Sequence, residues 1–150
     1  MTAGNICTRN VVVAAKNDML VDAAQRMRTS HVGAVVIVES KRGRQVPIGI
    51  VTDRDIVVSV VAGDPDHLNF MLISDMMTMD LVTARENDTI EAAIRLMQHH
   101  GIRRLPIVDV DGGLVGILTL DDVLKYLTAE QSLLVGLMAR EQRQEREHRT

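Results

Sequence analysis

Cysteine is nearly missing from this sequence. Cys7 stands alone, so no intramolecular disulfide can form and a reducing compartment suits the chain; the thiol reads as a small core residue, not a nucleophile. Aromatic side chains are almost as scarce, with no Trp, one Tyr and one Phe among 150 residues. Nucleic-acid bases would find almost nothing to stack on. An excess of basic charge is lacking too: the formal net charge is −3 and the pI about 5.9, which leaves no electrostatic footprint for nucleic acid. No apolar run reaches the length of a membrane span. The start, Met1-Thr2-Ala3-Gly4-Asn5, lacks the basic residues and apolar stretch of a secretion signal. A cytoplasmic home is expected, with neither nucleic acid nor membrane as partner.

The residues of metal and catalytic chemistry are poorly placed. No His/Cys spacing resembles a zinc site. His99 and His100 are adjacent, so on a helix they diverge by about 100° and make poor joint ligands. With His31 they read as surface or cleft-rim histidines. No metal is expected, and without a positioned nucleophile, base or metal the chain does not read as an enzyme.

What the chain does have is aliphatic bulk and a repeat. It is 46% hydrophobic with nine Met, and Val, Ile, Leu and Met must do the packing that aromatics do elsewhere. Slid upon itself by 70 residues, the sequence places Asn17-Asp18 on Asn87-Asp88 and Ile37-Val38 on Ile107-Val108. The displacement holds from Asn5 to Val38 and pairs Thr8 with Thr78. From Gly49 onward it becomes 67, so the first copy carries three extra residues between Glu39 and Pro47, expected to form a solvated hairpin.

Each copy predicts the same elements. A short strand (Val11 to Val13; Leu81 to Thr83) leads to a helix begun by Asn-Asp. Leu20, Ala23, Ala24 and Met27, or Ile90, Ala93, Ile94 and Met97, then recur at i, i+3, i+4 and i+7. A second strand follows (Ala34 to Val38; Leu105 to Val108), then a turn, a third strand and a final helix. One copy alone would close a core poorly, whereas two can cover each other. The expectation is an α/β (α+β) body of two β-α-β-β-α repeats about a local two-fold axis, residues 5–64 and 74–128, with linker 65–73. A cleft should lie on each side. Residues 129–150 read as a C-terminal helical extension whose apolar part, Ala129 to Met138, packs on the body or on another subunit, while its mixed-charge end frays. Ile56, Val57, Val60, Val61, Val123, Leu124 and Leu127 on the final helices exceed what a small body needs and imply a homodimer.

The two copies converge on one motif, Gly49-Ile50-Val51-Thr52-Asp53-Arg54-Asp55 and Gly116-Ile117-Leu118-Thr119-Leu120-Asp121-Asp122. A buried strand stops at a threonine and a helix begins. That threonine can cap the helix, whose unpartnered N–H groups and positive dipole attract anions. Asp55 or Asp122, three residues on, reaches across the same turn. Two readings stay open: a capping box, in which the acid turns back to its own main chain, or a carboxylate presented twice to a ligand.

Those motifs, with Arg103-Arg104-Leu105-Pro106-Ile107-Val108-Asp109 and Asp75-Met76-Met77-Thr78, resemble a tandem cystathionine-β-synthase-type (CBS) domain pair, or Bateman module, over about residues 5 to 128. The resemblance implies a non-catalytic regulatory module that binds adenosine-containing ligands in the clefts between repeats: AMP, ADP or ATP foremost, with NAD or S-adenosylmethionine as further candidates. It implies that Thr52 and Asp55 serve one cleft and Thr119 and Asp122 the other, the aspartates accepting from both ribose hydroxyls. An ionised carboxylate suits a diol, since it can only accept and the diol offers two donors. The clefts should be unequal. Arg103-Arg104 align with Gly33-Ala34 and Pro106 with Val36, so one repeat brings cations toward phosphate, while Asp53 and Asp121 add negative charge that disfavours a triphosphate. The competing reading is a ligand-free module for dimerisation or for docking a client protein.

Overall fold

The computed structural model describes residues 1–77 and 80–149; Thr78, the partner of Thr8 in the repeat, lies outside them. Each repeat builds a three-stranded sheet. In the first, β1 (Val13–Ala14) runs parallel to β2 (Ala34–Lys41), which pairs antiparallel with β3 (Arg44–Thr52). In the second, β4 (Ala84–Arg85), β5 (Arg104–Val108) and β6 (Leu114–Thr119) repeat that order. The register matches too, Ala34 opposite Thr52 and Arg104 opposite Thr119, with a bulge after Ile37 and after Ile107. Helices α2 (Leu20–Ser30) and α4 (Ile90–His100) cover the sheets with the expected apolar face, burying Leu20, Ala23 and Met27 or Ile90, Ala93 and Met97.

The short first strands begin two or three residues later than the apolar pattern predicts. Val12 still contributes its carbonyl, which accepts from the Val36 N–H. Asn-Asp does not cap the helices either. Asp18 and Asp88 close the turn before them, accepting from the Ala15 and Arg85 N–H groups, and Thr89 is the cap in the second copy.

The repeats cover each other by exchanging their leading segments. Helix α1 (Ala3–Ile6) belongs to the first copy in sequence, yet Ala3, Ile6 and Cys7 pack in the core of the second. Ile73, Met76 and Met77 lead the second copy and pack in the core of the first. The hydrogen bonds repeat with the same exchange: the Ala3 and Gly4 N–H groups donate to Asp88 and Glu86, and those of Ile73 and Ser74 to Asp18 and Lys16, at 2.8–2.9 Å. Burial pushes the Cys7 thiol up from its ordinary value, which keeps it protonated and inert.

The molecule departs from the sequence expectation in three places. The extra hairpin turns tightly at Arg42-Gly43, both with positive φ, as a two-residue turn between twisted strands requires. It is not simply solvated, because Arg44 pairs with Asp109 and Asp111 of the second repeat. Secondly, the first motif helix is brief: α3 (Asp53–Asp55) continues as a π-helix over Ile56–Val61. That stretch is almost entirely β-branched and favours regular helix poorly. Thirdly, the second motif helix and the C-terminal extension form one helix, α5 (Leu120–His148). Ile56, Val60 and Val123 are core residues, not exposed ones, whereas Val57, Val61, Leu124 and Leu127 remain open to solvent. No helix is long and apolar enough to cross a membrane among the described residues.

Candidate functional site

Both motif turns fold alike. In the first, the Asp55 N–H donates to Thr52 Oγ1 at 3.1 Å while the Thr52 N–H donates to Asp55 Oδ2 at 3.0 Å. In the second, the Asp122 N–H donates to Thr119 Oγ1 at 3.2 Å, and Asp122 Oδ2 accepts from the Thr119 N–H at 2.9 Å and from its hydroxyl at 2.8 Å. The capping box is therefore formed twice. In each case it uses Oδ2 and leaves Oδ1 outside the turn's own bonds, so capping and presenting an acceptor are compatible.

What distinguishes the turns is the space beside them. A cavity of about 650 Å³ is bordered by Thr119, Asp121 and Asp122, and on its other sides by Thr8 and Asn10 to Val12, by His31 to Ala34 and by Asp53 and Arg54. Its size falls within the range of small-molecule sites. The exchanged leading segment is one wall, held where the Thr8 and Ile117 main chains bond each other both ways at 2.9 Å. Arg103, Arg104 and Lys125 complete the lining, so four cations stand against Asp53, Asp121 and Asp122. The loop carrying Arg103 is tied to the head of α5 by the Leu120 N–H, which donates to the Arg103 carbonyl.

Thr119, Asp122, Arg103 and Arg104 thus come together, as the motifs predict. Pro106 does not join them: it is fully buried in the middle of β5, opposite Ile117. Its missing N–H falls where its counterpart Val36 bonds the first strand, a place that only a short β4 leaves free. Thr52 and Asp55 do not line this cavity. Their own cleft, by the repeat, would include residues 78 and 79, outside the described residues. Lys125 and Asn10 belong to neither motif and carry no signal of their own in the sequence. Lys125 was nonetheless within reach of sequence reasoning, since it stands one helical turn beyond Asp121 and Asp122 and so on their face. His31 closes α2 with φ 54° and ψ 43°, the same left-handed cap that Gly101 supplies in the second copy, and it borders the cavity as a rim residue.

The cations and the glycine are fitted to each other. A Cβ at Gly33 would lie 2.7 Å from Arg104 Nη2 and 3.1 Å from Asp53 Oδ2, so the guanidinium of one repeat occupies space that the other leaves by having no side chain. Gly33→Ala is expected to displace Arg104 with little loss of stability, since a flexible tip can move. The measurement is affinity for an anionic occupant, expected to fall about tenfold as one charge-assisted contact weakens, alongside an unchanged melting point.

Comparison with known proteins places the residues of this architecture in familiar company. The family model for the CBS domain matches residues 3–62 and 73–129. The CBS domain-containing protein YhcV of Bacillus subtilis is 38% identical over 116 residues, 77% of this chain and 78% of its own length. Protein MK0525 of Methanopyrus kandleri is 38% identical over 134 residues, 86% of this chain but only 65% of that protein, so this chain spans a little under two thirds of that relative. Among solved structures, CBSX2 in complex with AMP superposes with a TM-score of 0.72 at 25% identity, over 87% of this chain and 98% of that one.

Proposed function

The chain belongs to the CBS domain family as a tandem pair, and from that premise we propose that it is a non-catalytic regulatory module whose cavity beside Asp122 binds an adenine nucleotide, AMP or ADP foremost. The observation that carries the reading is the pairing, at one cavity, of a helix-heading carboxylate with four cations from both repeats. Asp122 Oδ1 would take the ribose diol. Val11, Val12 and Ile117 give the adenine apolar walls, and Arg54, Arg103, Arg104 and Lys125 suit one or two phosphates. Asp53 and Asp121 oppose a third. CBSX2, solved with AMP, supports this ligand class. Thr52 and Asp55 head the counterpart cleft of the repeat and are proposed as its ribose-facing pair. Because the cavity joins both repeats, an occupant would fix their relative position, and a client protein could read that change.

A thermal-shift panel tests the proposal. AMP at about 100 times its Kd should stabilise the fold by about 2.7 kcal/mol. ATP, NAD and S-adenosylmethionine should do less at equal concentration. Silence from all four would return the chain to the competing role, a ligand-free interaction module.

A further inference from the structure

The fold leaves its longest element half uncovered. Helix α5 runs 29 residues, about 43 Å at 1.5 Å per residue, and only its first turns, through Val123 and Tyr126, pack on the second core. From Leu127 to His148 all of its residues are exposed. Leu133, Leu134, Val135, Leu137 and Met138 are each at least 60% exposed, a larger contiguous apolar run than soluble monomers usually leave open. A helix in water owes most of its stability to a packed face, and Gly136 in its interior weakens it further. The element therefore needs a neighbour to persist.

The pattern says what kind. Leu124, Leu127, Gln131, Leu134 and Met138 follow at intervals of 3, 4, 3 and 4, which sets them along one seam suited to a facing helix, with a single polar residue of the sort that fixes register. Leu133 and Leu137 continue instead the side that holds Val123 and Tyr126 on the body. The seam is continuous with the body at Leu124 and stops at Met138. Beyond it, Arg140, Arg143 and Arg146 alternate with Glu141 and Glu145. Two like copies side by side bring both signs together and do not repel. A lipid surface is a poorer match, because the acids interleave with the cations it would attract.

We propose that a second copy of this chain covers the seam, the two α5 helices packing about a two-fold axis with Leu124, Leu127, Leu134 and Met138 of each against the other. Sedimentation of the full chain should show a dimer, and its far-ultraviolet helicity should rise with concentration as α5 orders. Leu134→Glu with Met138→Glu, both at exposed positions, should give a monomer that keeps the melting transition of the body. Ser132→Glu, on the side away from the seam, should stay dimeric. A wild-type monomer at all micromolar concentrations would overturn the proposal. So would a dimer that survives the double change, which would move the interface to a face such as Val57 and Val61, or pelleting of the chain with phosphatidylglycerol vesicles.

Discussion

Asp122→Ala is expected to abolish most nucleotide binding, while Asp55→Ala, in a turn of the same geometry, leaves the cavity beside Asp122 as it was. Each carboxylate has a structural role that both turns share, and a second role that only the cavity gives. As a cap, each aspartate satisfies the N–H of its threonine at about 3 Å, and losing either cap should cost about 1 kcal/mol of stability. The two variants should therefore melt alike. As a ligand acceptor, Asp122 would take two ribose hydroxyls, and charge-assisted bonds are worth about 1.5–3 kcal/mol each, so its loss should weaken AMP by roughly a hundredfold or more. Titration calorimetry decides the matter: equal weakening by both changes, or by neither, would reduce these residues to helix caps. Asp122→Asn keeps an acceptor but not the charge, and should fall between wild type and Asp122→Ala.

That contrast also shows what the sequence could and could not reveal. The residues Thr52, Asp55, Thr119 and Asp122 left capping and ligand presentation open because both need an oxygen at the same place. Geometry resolves the choice only by dividing the carboxylate, Oδ2 for the turn and Oδ1 outside its bonds. The repeat, the sheets and the helix faces were legible, since period and displacement are local properties of the chain. Strand starts were less so: Val11 and Val12 border a cavity, and an apolar pair reads the same whether it lines a cavity or builds a strand. Least legible was the exchange of leading segments. Nothing in Ala3 or Ile73 says which of two similar cores it will enter, because that depends on where the other copy stands. The substitution of Gly33 for an arginine was visible as an asymmetry between copies. Its meaning, a gap filled by Arg104 from across the molecule, required the fold.

The exchange has a steric requirement that should dominate the stability of this fold. Gly116 and Gly49 are equivalent in the repeat, and each lies under the leading segment of the other copy. A Cβ at Gly116 would stand 2.5 Å from Cys7 Sγ and 3.0 Å from the Thr8 carbonyl oxygen, whereas at Gly49 the nearest atom is Met77 sulfur at 3.2 Å. The first contact cannot relax cheaply, because Thr8 is held by both of its bonds to Ile117 and its retreat breaks them. Methionine is flexible enough to give way. Gly116→Ala should therefore cost about 2–3 kcal/mol, overpacking plus weakened main-chain bonds, and Gly49→Ala less than about 1 kcal/mol. Denaturant unfolding of the two variants measures the difference, and equal midpoints would mean that the leading segment yields freely. Because Thr8 and Asn10 to Val12 also wall the cavity, Gly116→Ala should weaken AMP as well. Stability and binding are then linked through the same crossing segment.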